Sequence, residues 1–475
     1  MRVAVLGWVA LAAMLLTTRM AHREILWVEE AYPAAAAIQM SGGRTLYQDI
    51  QYDKPALSAA VYRLWGARTG WPLRSAGAIY VLLCSALAFL LAKRLWPPGG
   101  EEARMAALLT AFYLTFGIPS AVIALAPDLL AVAPVLAMAW ALAAGRGKLA
   151  GAILGLTIAG INGKALVLTP VALWMGGPVN ALTGMALGAA VALWPLGWLA
   201  GASVDQRLMW AQVWEWGSAY SRDTPVETPW REGLVRMAGW SGFHATALLA
   251  AGWYWRRDRT GRRAAAQLLG GWTALAVVIV CLGWRFAPRY YLALIGPLAV
   301  AGARGLALMP ARARVAALAL LVIPAARFGP RYFTLLAGDA RPAGWSDIAM
   351  NRDSAAAAKL ILGAAEPGDT IFVWGYRPDI LAYTRLAAGT PFLDSQPLTG
   401  VLADRHLTQS AATFPHLAAE NRRRLAQLAP TWVVDGLGPY NPALAVSAYA
   451  DLGAWLTRYE LKGETGGTRI YRLRR

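Results

Sequence analysis

Along the first 330 residues the polar positions fall in short clusters between apolar runs, and these runs have the length of helices rather than strands. They lie near 3–20, 76–96, 104–118, 128–144, 149–161, 164–175, 181–200, 241–255, 264–283, 291–308 and 312–329. A helix needs ~20 apolar residues to cross a bilayer, so the pattern predicts about eleven transmembrane helices, with 149–175 also readable as a re-entrant hairpin. From about residue 343 the apolar runs shrink to strand length and turn residues become frequent. Asp353–Gly363 and Asp379–Leu386 read as helices, Thr370–Trp374 and Thr431–Val434 as buried strands, and Arg469–Leu473 as a last edge strand. The expected fold is a mainly α-helical polytopic membrane protein, with a helical membrane domain over 1–330 and an α/β domain over 331–475.

Composition agrees with the pattern. The chain has 475 residues, is 57% hydrophobic and has a mean hydropathy of +0.41, too apolar for a soluble protein. Its 22 tryptophans suit aromatic belts at two membrane interfaces. The net charge of +18 does not make a nucleic-acid surface, because the arginines fall between apolar spans rather than along one soluble face. Only six of the 45 basic residues are lysine, a bias expected of a GC-rich, bacterial source. Cys84 and Cys281 both sit in apolar runs, which leaves no disulfide or zinc framework. Val3–Thr18 has the look of a signal peptide, but no small-residue cleavage site follows it, and an uncleaved first helix is expected.

The loops orient the spans. With the N-terminus inside, segments 93–104, 145–148, 256–263 and 304–314 hold 13 Lys/Arg in 35 residues, whereas loops 21–75 and 201–240 hold 10 in 95. The positive-inside rule then puts loops 21–75 and 201–240, the turn 284–290 and the C-terminal domain outside, on the periplasmic face of a bacterial inner membrane. RRDRTGRR (256–263) reads as a cytoplasmic anchor, with lipid-phosphate binding as the alternative.

Acids and lysines beside a membrane span are costly unless they serve a function. Four outer features carry such residues. The first is Glu29–Glu30, opening loop 21–75. A carboxylate against an apolar wall can serve as a general base, or one of the pair can cap a helix. The second is Tyr52-Asp53-Lys54-Pro55, in which Lys54 is either a phosphate-holding point charge or half of a surface ion pair. The third is Asp128 after Pro127, a helix N-cap or a catalytic or metal-binding group. The fourth is Trp284–Tyr291 (WRFAPRYY), where Arg285 and Arg289 stand where the positive-inside rule disfavours them, as phosphate ligands or snorkelling anchors. Lys164 in NGKAL is a weaker case of the same kind. In the C-terminal domain, Asp435 and His406 read as structural residues.

With these motifs in order, the chain resembles the GT-C membrane glycosyltransferases, particularly bacterial relatives of protein O-mannosyltransferases and the lipid A aminoarabinose transferase. In that family an acidic pair opens the first outer loop, followed by a small-residue helix, a Gly-x-x-x-Tyr-x-Asp turn and a Lys-Pro-Pro. Here these correspond to Glu29-Glu30, Ala34–Met40, Gly43–Asp49 and Lys54-Pro55-Ala56, with Asp128 at the second outer loop and RYYLALIGPLAV late in the membrane part. Glu29 replaces the usual Asp, and Ala56 the second Pro. The resemblance covers about residues 1–330 and implies an inverting transfer of a sugar from a polyprenyl-phosphate donor to a hydroxyl of a glycan, lipid or protein acceptor. It implies Glu29, Glu30 and Asp128 as catalytic residues, Lys54, Arg285, Arg289 and Tyr290 at the donor phosphate, and Tyr52, Asp53 and Lys164 as candidate substrate contacts. No tightly bound cofactor and no nucleic-acid partner are expected, and a divalent metal is left open.

Two other readings compete. A transporter would place polar groups near the midplane and repeat a broken-helix pattern in two halves, neither of which the sequence shows. A non-catalytic cell-envelope assembly protein would have no need of a carboxylate and a lysine on one outer loop.

Overall fold

The computed structural model describes residues 2–97, 100–194, 197, 206–258, 263–338 and 346–474. Positions 259–262 of RRDRTGRR, 201–205 of the second outer loop and 339–345, next to the expected domain boundary, lie outside the described residues.

The chain divides into two compact units, both discontinuous. The helical unit is 1–23, 73–198 and 218–340; the α/β unit is 24–72, 199–217 and 341–475. The last segment of the α/β unit thus starts at 341 rather than near 330. Loop 24–72, expected in the membrane domain, belongs to the α/β unit because its apolar residues are buried in that unit's core.

In the helical unit the apolar runs form helices, as their Ala- and Leu-rich composition favours. Among the described residues, Trp71–Leu95, Arg263–Trp284, Pro288–Leu308 and Ala311–Leu336 are long and apolar enough to cross a membrane, and five further apolar helices are shorter. The run 164–175 is one source of the difference from eleven full spans: it is a 3₁₀ turn, Gly163–Leu168, followed by a short helix, Thr169–Gly176. The helix Leu292–Leu308 lies deepest, with most of its residues buried. Helix Gly147–Gly160 packs closely against Pro178–Leu193. Here Gly147, Gly151 and Gly155 recur every fourth residue and lie against the backbone of Gly176, Ala181 and Met185, while Gly184 and Gly188 lie against that of Lys148 and Ala152. A Cβ at Gly151 would overlap the Ala181 carbonyl, and one at Gly188 the Ala152 carbonyl. Small residues at four-residue spacing let two backbones touch, the usual device for helix pairing in lipid.

The α/β unit holds a five-stranded sheet of order β2-β1-β3-β5-β4, with β1 (Thr370–Trp374), β2 (Ala387–Ala388), β3 (Trp432–Asp435), β4 (Tyr459–Glu464) and β5 (Arg469–Leu473). β1 runs parallel to β2 and β3, while β5 is antiparallel to β3 and β4. The expected helices are Ser346–Leu362 and Pro378–Thr384. Arg469–Leu473 is a strand but not an edge: β4 lies outside it.

Two elements of loop 24–72 complete this unit. Helix Val28–Ser41 packs on Pro378–Thr384 and shares a core with Ile371, Val373, Trp432 and Ile470. Its Gln39 side chain then pairs with the edge strand. Nε2 donates to the Leu386 carbonyl (2.9 Å) and Oε1 accepts from the Ala388 N–H (2.8 Å), so the amide stands in for a further strand at an otherwise open edge. Asp435 and His406 are structural, as expected. Buried Asp435 accepts from the N–H groups of Leu437, Gly438 and Val446, and the His406 ring bonds the Val401 carbonyl and the Thr399 hydroxyl.

Candidate functional site

The sequence-predicted residues are divided between the two units.

In the α/β unit, Trp27 is extended (ψ 150°) and helix Val28–Ser41 begins after it. Oε1 of the fully buried Glu30 accepts the Trp27 N–H at 3.3 Å, closing the first turn. Glu29 is only partly buried. The Gly43–Asp49 turn is a conformational device: Gly43 (φ 87°) and Tyr47 (φ 72°) are left-handed, and Asp49 Oδ2 accepts the Thr45 N–H at 2.8 Å. Left-handed backbone at a non-glycine residue costs roughly 1–2 kcal/mol. What it achieves here is the aim of Tyr47, whose hydroxyl donates to the Lys54 carbonyl at 2.8 Å. Gln212 holds the same loop, accepting from the Tyr52 N–H (2.9 Å) and donating to the Tyr47 carbonyl (2.6 Å). Tyr52, fully buried, bonds Ser58 Oγ at 2.8 Å and stacks on Tyr32; burial pushes both phenols well above their usual range. Lys54 Nζ donates to Asp53 Oδ2 at 2.7 Å, both side chains partly exposed. The helix expected to start at Pro55 is one short turn, Leu57–Ala60, continued as a 3₁₀ segment. Its dipole is therefore small, and the backbone anchoring of Lys54 matters more.

In the helical unit, Asp128, Asn162, Lys164, Arg289 and Tyr290 line a partly open pocket with a cavity volume of about 40 Å³. Asp128 lies in the helix Pro127–Leu130, whose cap has no side-chain bond, so the carboxylate is not spent on capping. Instead Oδ1 accepts from Lys164 Nζ (2.6 Å) and Asn162 Nδ2 (3.0 Å), and Oδ2 lies 3.4 Å from Arg289 Nε. Asn162 also caps the Gly163–Leu168 turn by accepting the Lys164 N–H, which fixes the lysine backbone. Lys164 Nζ sits 3.6 Å over the Tyr290 ring. Two cations face one carboxylate, leaving a formal charge of +1. The rest of the lining is apolar, from Val132, Val135, Leu168, Trp272, Ile279 and Leu292. The cations keep 26% and 36% side-chain exposure while Trp272 keeps 2%, so the charged end is the open one.

Arg289 reaches this pocket because the preceding turn is sharp: Gly283, Trp284 and Phe286 are all left-handed, and the Phe286 ring packs against Gly233. Arg285 is not among the lining residues. Its guanidinium donates to Thr224 Oγ1 (2.6 Å) and lies over the Tyr220 ring. Sequence reasoning missed Asn162, although its place beside Gly163 and Lys164 signals a cap, and Asp394, which is buried near Asp53 and Lys54. Among the described residues, no three His, Cys, Asp or Glu side chains group to hold a metal ion.

No protein-family model matches the sequence, and no curated protein sequence does. The structure is similar to ArnT from Cupriavidus metallidurans bound to undecaprenyl phosphate, with a TM-score of 0.62 and 14% identity over 98% of this chain and 97% of that one. The oligosaccharyltransferase of Archaeoglobus fulgidus in its apo form aligns with a TM-score of 0.49 and 11% identity over 98% of this chain and 74% of that one. The likeness to ArnT runs through both units and nearly the full length of both chains, and it shows that this chain is a membrane protein with the GT-C fold.

Proposed function

We propose that this protein is a glycosyltransferase that moves a sugar from a polyprenyl-phosphate donor to an acceptor hydroxyl on the outer face of a bacterial membrane. The observation that carries this reading is the pocket of the helical unit, with its apolar walls and two cations at the open end. Such a site suits an amphiphile with an anionic head and a hydrocarbon tail, and ArnT, of the same fold, binds undecaprenyl phosphate.

In the proposed step the acceptor oxygen attacks the anomeric carbon from the face opposite the phosphate. The bond from that carbon to the phosphate oxygen breaks, the electron pair leaves with the phosphate, and the configuration inverts. Lys164 and Arg289 stabilise the charge gathering on the leaving phosphate, where preorganised cations are most effective. Asp128, bonded to both, holds them in place. By the family resemblance, Lys54 contributes a further cation and the Glu29–Glu30 pair takes the acceptor proton. Glu30 is fully buried whereas Glu29 is only partly so, and Glu29 is therefore assigned as the base that meets the acceptor and Glu30 as its support.

The test is transfer by the purified protein in nanodiscs, supplied with polyprenyl-phosphate sugars and extracts of envelope glycans, with mass spectrometry of the products. Release of polyprenyl phosphate coupled to a glycosylated product is expected, and its loss in Arg289→Met. A wild type that binds polyprenyl phosphate yet transfers no sugar under any donor would overturn the enzymatic reading.

A further inference from the structure

The Lys54 cluster contains a carboxylate that the proposed step does not use. The Gln51 N–H donates to the Pro391 carbonyl at 2.8 Å, binding the segment that carries Asp394 to the one that carries Lys54. Asp394 is 7% exposed and its Oδ1 accepts the Gln396 N–H at 2.7 Å. The charged groups facing it are Asp53 and Lys54 of the first loop. The titratable phenol of Tyr32, on helix Val28–Ser41, completes the surroundings, with Tyr52 and Tyr376 beside it. Lys54 Nζ already rests on Asp53.

We propose that Asp394 is a protonation-dependent gate on anion binding at Lys54, a positioning residue that acts through the ammonium. The inference rests on the reading of Lys54 as a phosphate ligand. With Asp394 neutral, Asp53 and Lys54 balance and the ammonium can turn to an incoming phosphate. With Asp394 ionised the trio carries −1, and two carboxylates compete with the phosphate for one cation. Burial, opposed by the Gln396 N–H bond and reinforced by Asp53, pushes the Asp394 carboxyl up to about 7, so the change of charge falls in the range a cell envelope meets.

The probe is methyl farnesyl phosphate, a phosphodiester that keeps one negative charge throughout, titrated into the full-length protein in nanodiscs between pH 5.5 and 8.5. Wild-type affinity should fall about twofold to fivefold across a midpoint near 7, the scale of one added charge at a half-exposed ion pair. Asp394→Asn, which keeps an oxygen for the Gln396 N–H, should bind tightly at both ends of the range. Lys54→Met should bind weakly and without that slope. A wild-type profile flat from pH 6 to 8, with Lys54→Met still impaired, overturns the gate and leaves Lys54 as a phosphate ligand. Lys54→Met binding as wild type does overturns the Lys54 reading itself. If Asp394→Asn fails to fold, the wild-type profile decides alone.

Discussion

Lys164→Met keeps the length of the side chain and removes its charge. In the structure Nζ makes one charge-assisted bond, to Asp128 at 2.6 Å, and one cation–π contact, at 3.6 Å from the Tyr290 ring centroid. Losing a charged bond to a bound phosphate costs roughly 1.5–3 kcal/mol, which is about 10- to 150-fold in affinity. The ammonium is 26% exposed, so screening puts the expected loss near the lower bound, about tenfold. Fold stability should change by only about 1 kcal/mol, because Asp128 keeps Arg289 and Asn162 as partners. The assay compares binding of undecaprenyl phosphate and of undecaprenol to wild type and variant in the same detergent and salt. The phosphate should lose about tenfold and the alcohol nothing. An equal loss for both would mean that Lys164 only shapes the apolar wall, and no loss for either would remove it from the site.

Three further outcomes are expected. Glu29→Gln should lower transfer by ~10²–10⁴ without moving donor affinity, while Glu30→Gln should also lower the unfolding temperature, since Glu30 closes a buried helix turn; single-turnover assays beside thermal melts separate the two. Asp394, at about 7 when folded against ~3.9 when unfolded, keeps a proton in that interval which the unfolded chain has released. Stability therefore falls as pH rises from about 4 toward 7, and Asp394→Asn should melt higher than wild type above pH 7 but not below pH 4. Gly151→Leu should cost ~3 kcal/mol or more by forcing helices Gly147–Gly160 and Pro178–Leu193 apart, whereas Gly252→Ala, with open space around its Cβ position, should be neutral or stabilising in the same chemical-denaturation assay.

What the sequence revealed follows from what is local. β1 was readable because it is a short apolar run bounded by turns, and Arg469–Leu473 because its β-favouring Ile470 and Tyr471 follow the turn residues Gly466 and Gly467. β4 was not: YELKGE buries only Tyr459 well, and an exposed edge strand carries no apolar pattern. Asp128, Lys164 and Arg289 were each conspicuous alone, but only the folded helices bring them within bonding distance. Asp394 looks like any aspartate in a turn until its burial is seen. The division of the chain was misread for the same reason. Nothing near Gln39 announces that its partners, Leu386 and Ala388, lie nearly 350 positions downstream.

That clamp has a consequence for biogenesis. The ribosome delivers residues 24–72 first, and 268 residues separate them from the start of the final segment of the same unit. At 5–20 residues per second, helix Val28–Ser41 waits roughly 20–85 s for completion of the sheet it packs against, whose last strand ends at Leu473. Through that interval Ala35, Ala36 and Met40, core residues in the finished unit, have no sheet to cover them. The waiting segment is thus a natural client for a chaperone on its side of the membrane. Chains truncated before Thr370 should be cleared by proteolysis rather than accumulate as a stable helical remnant.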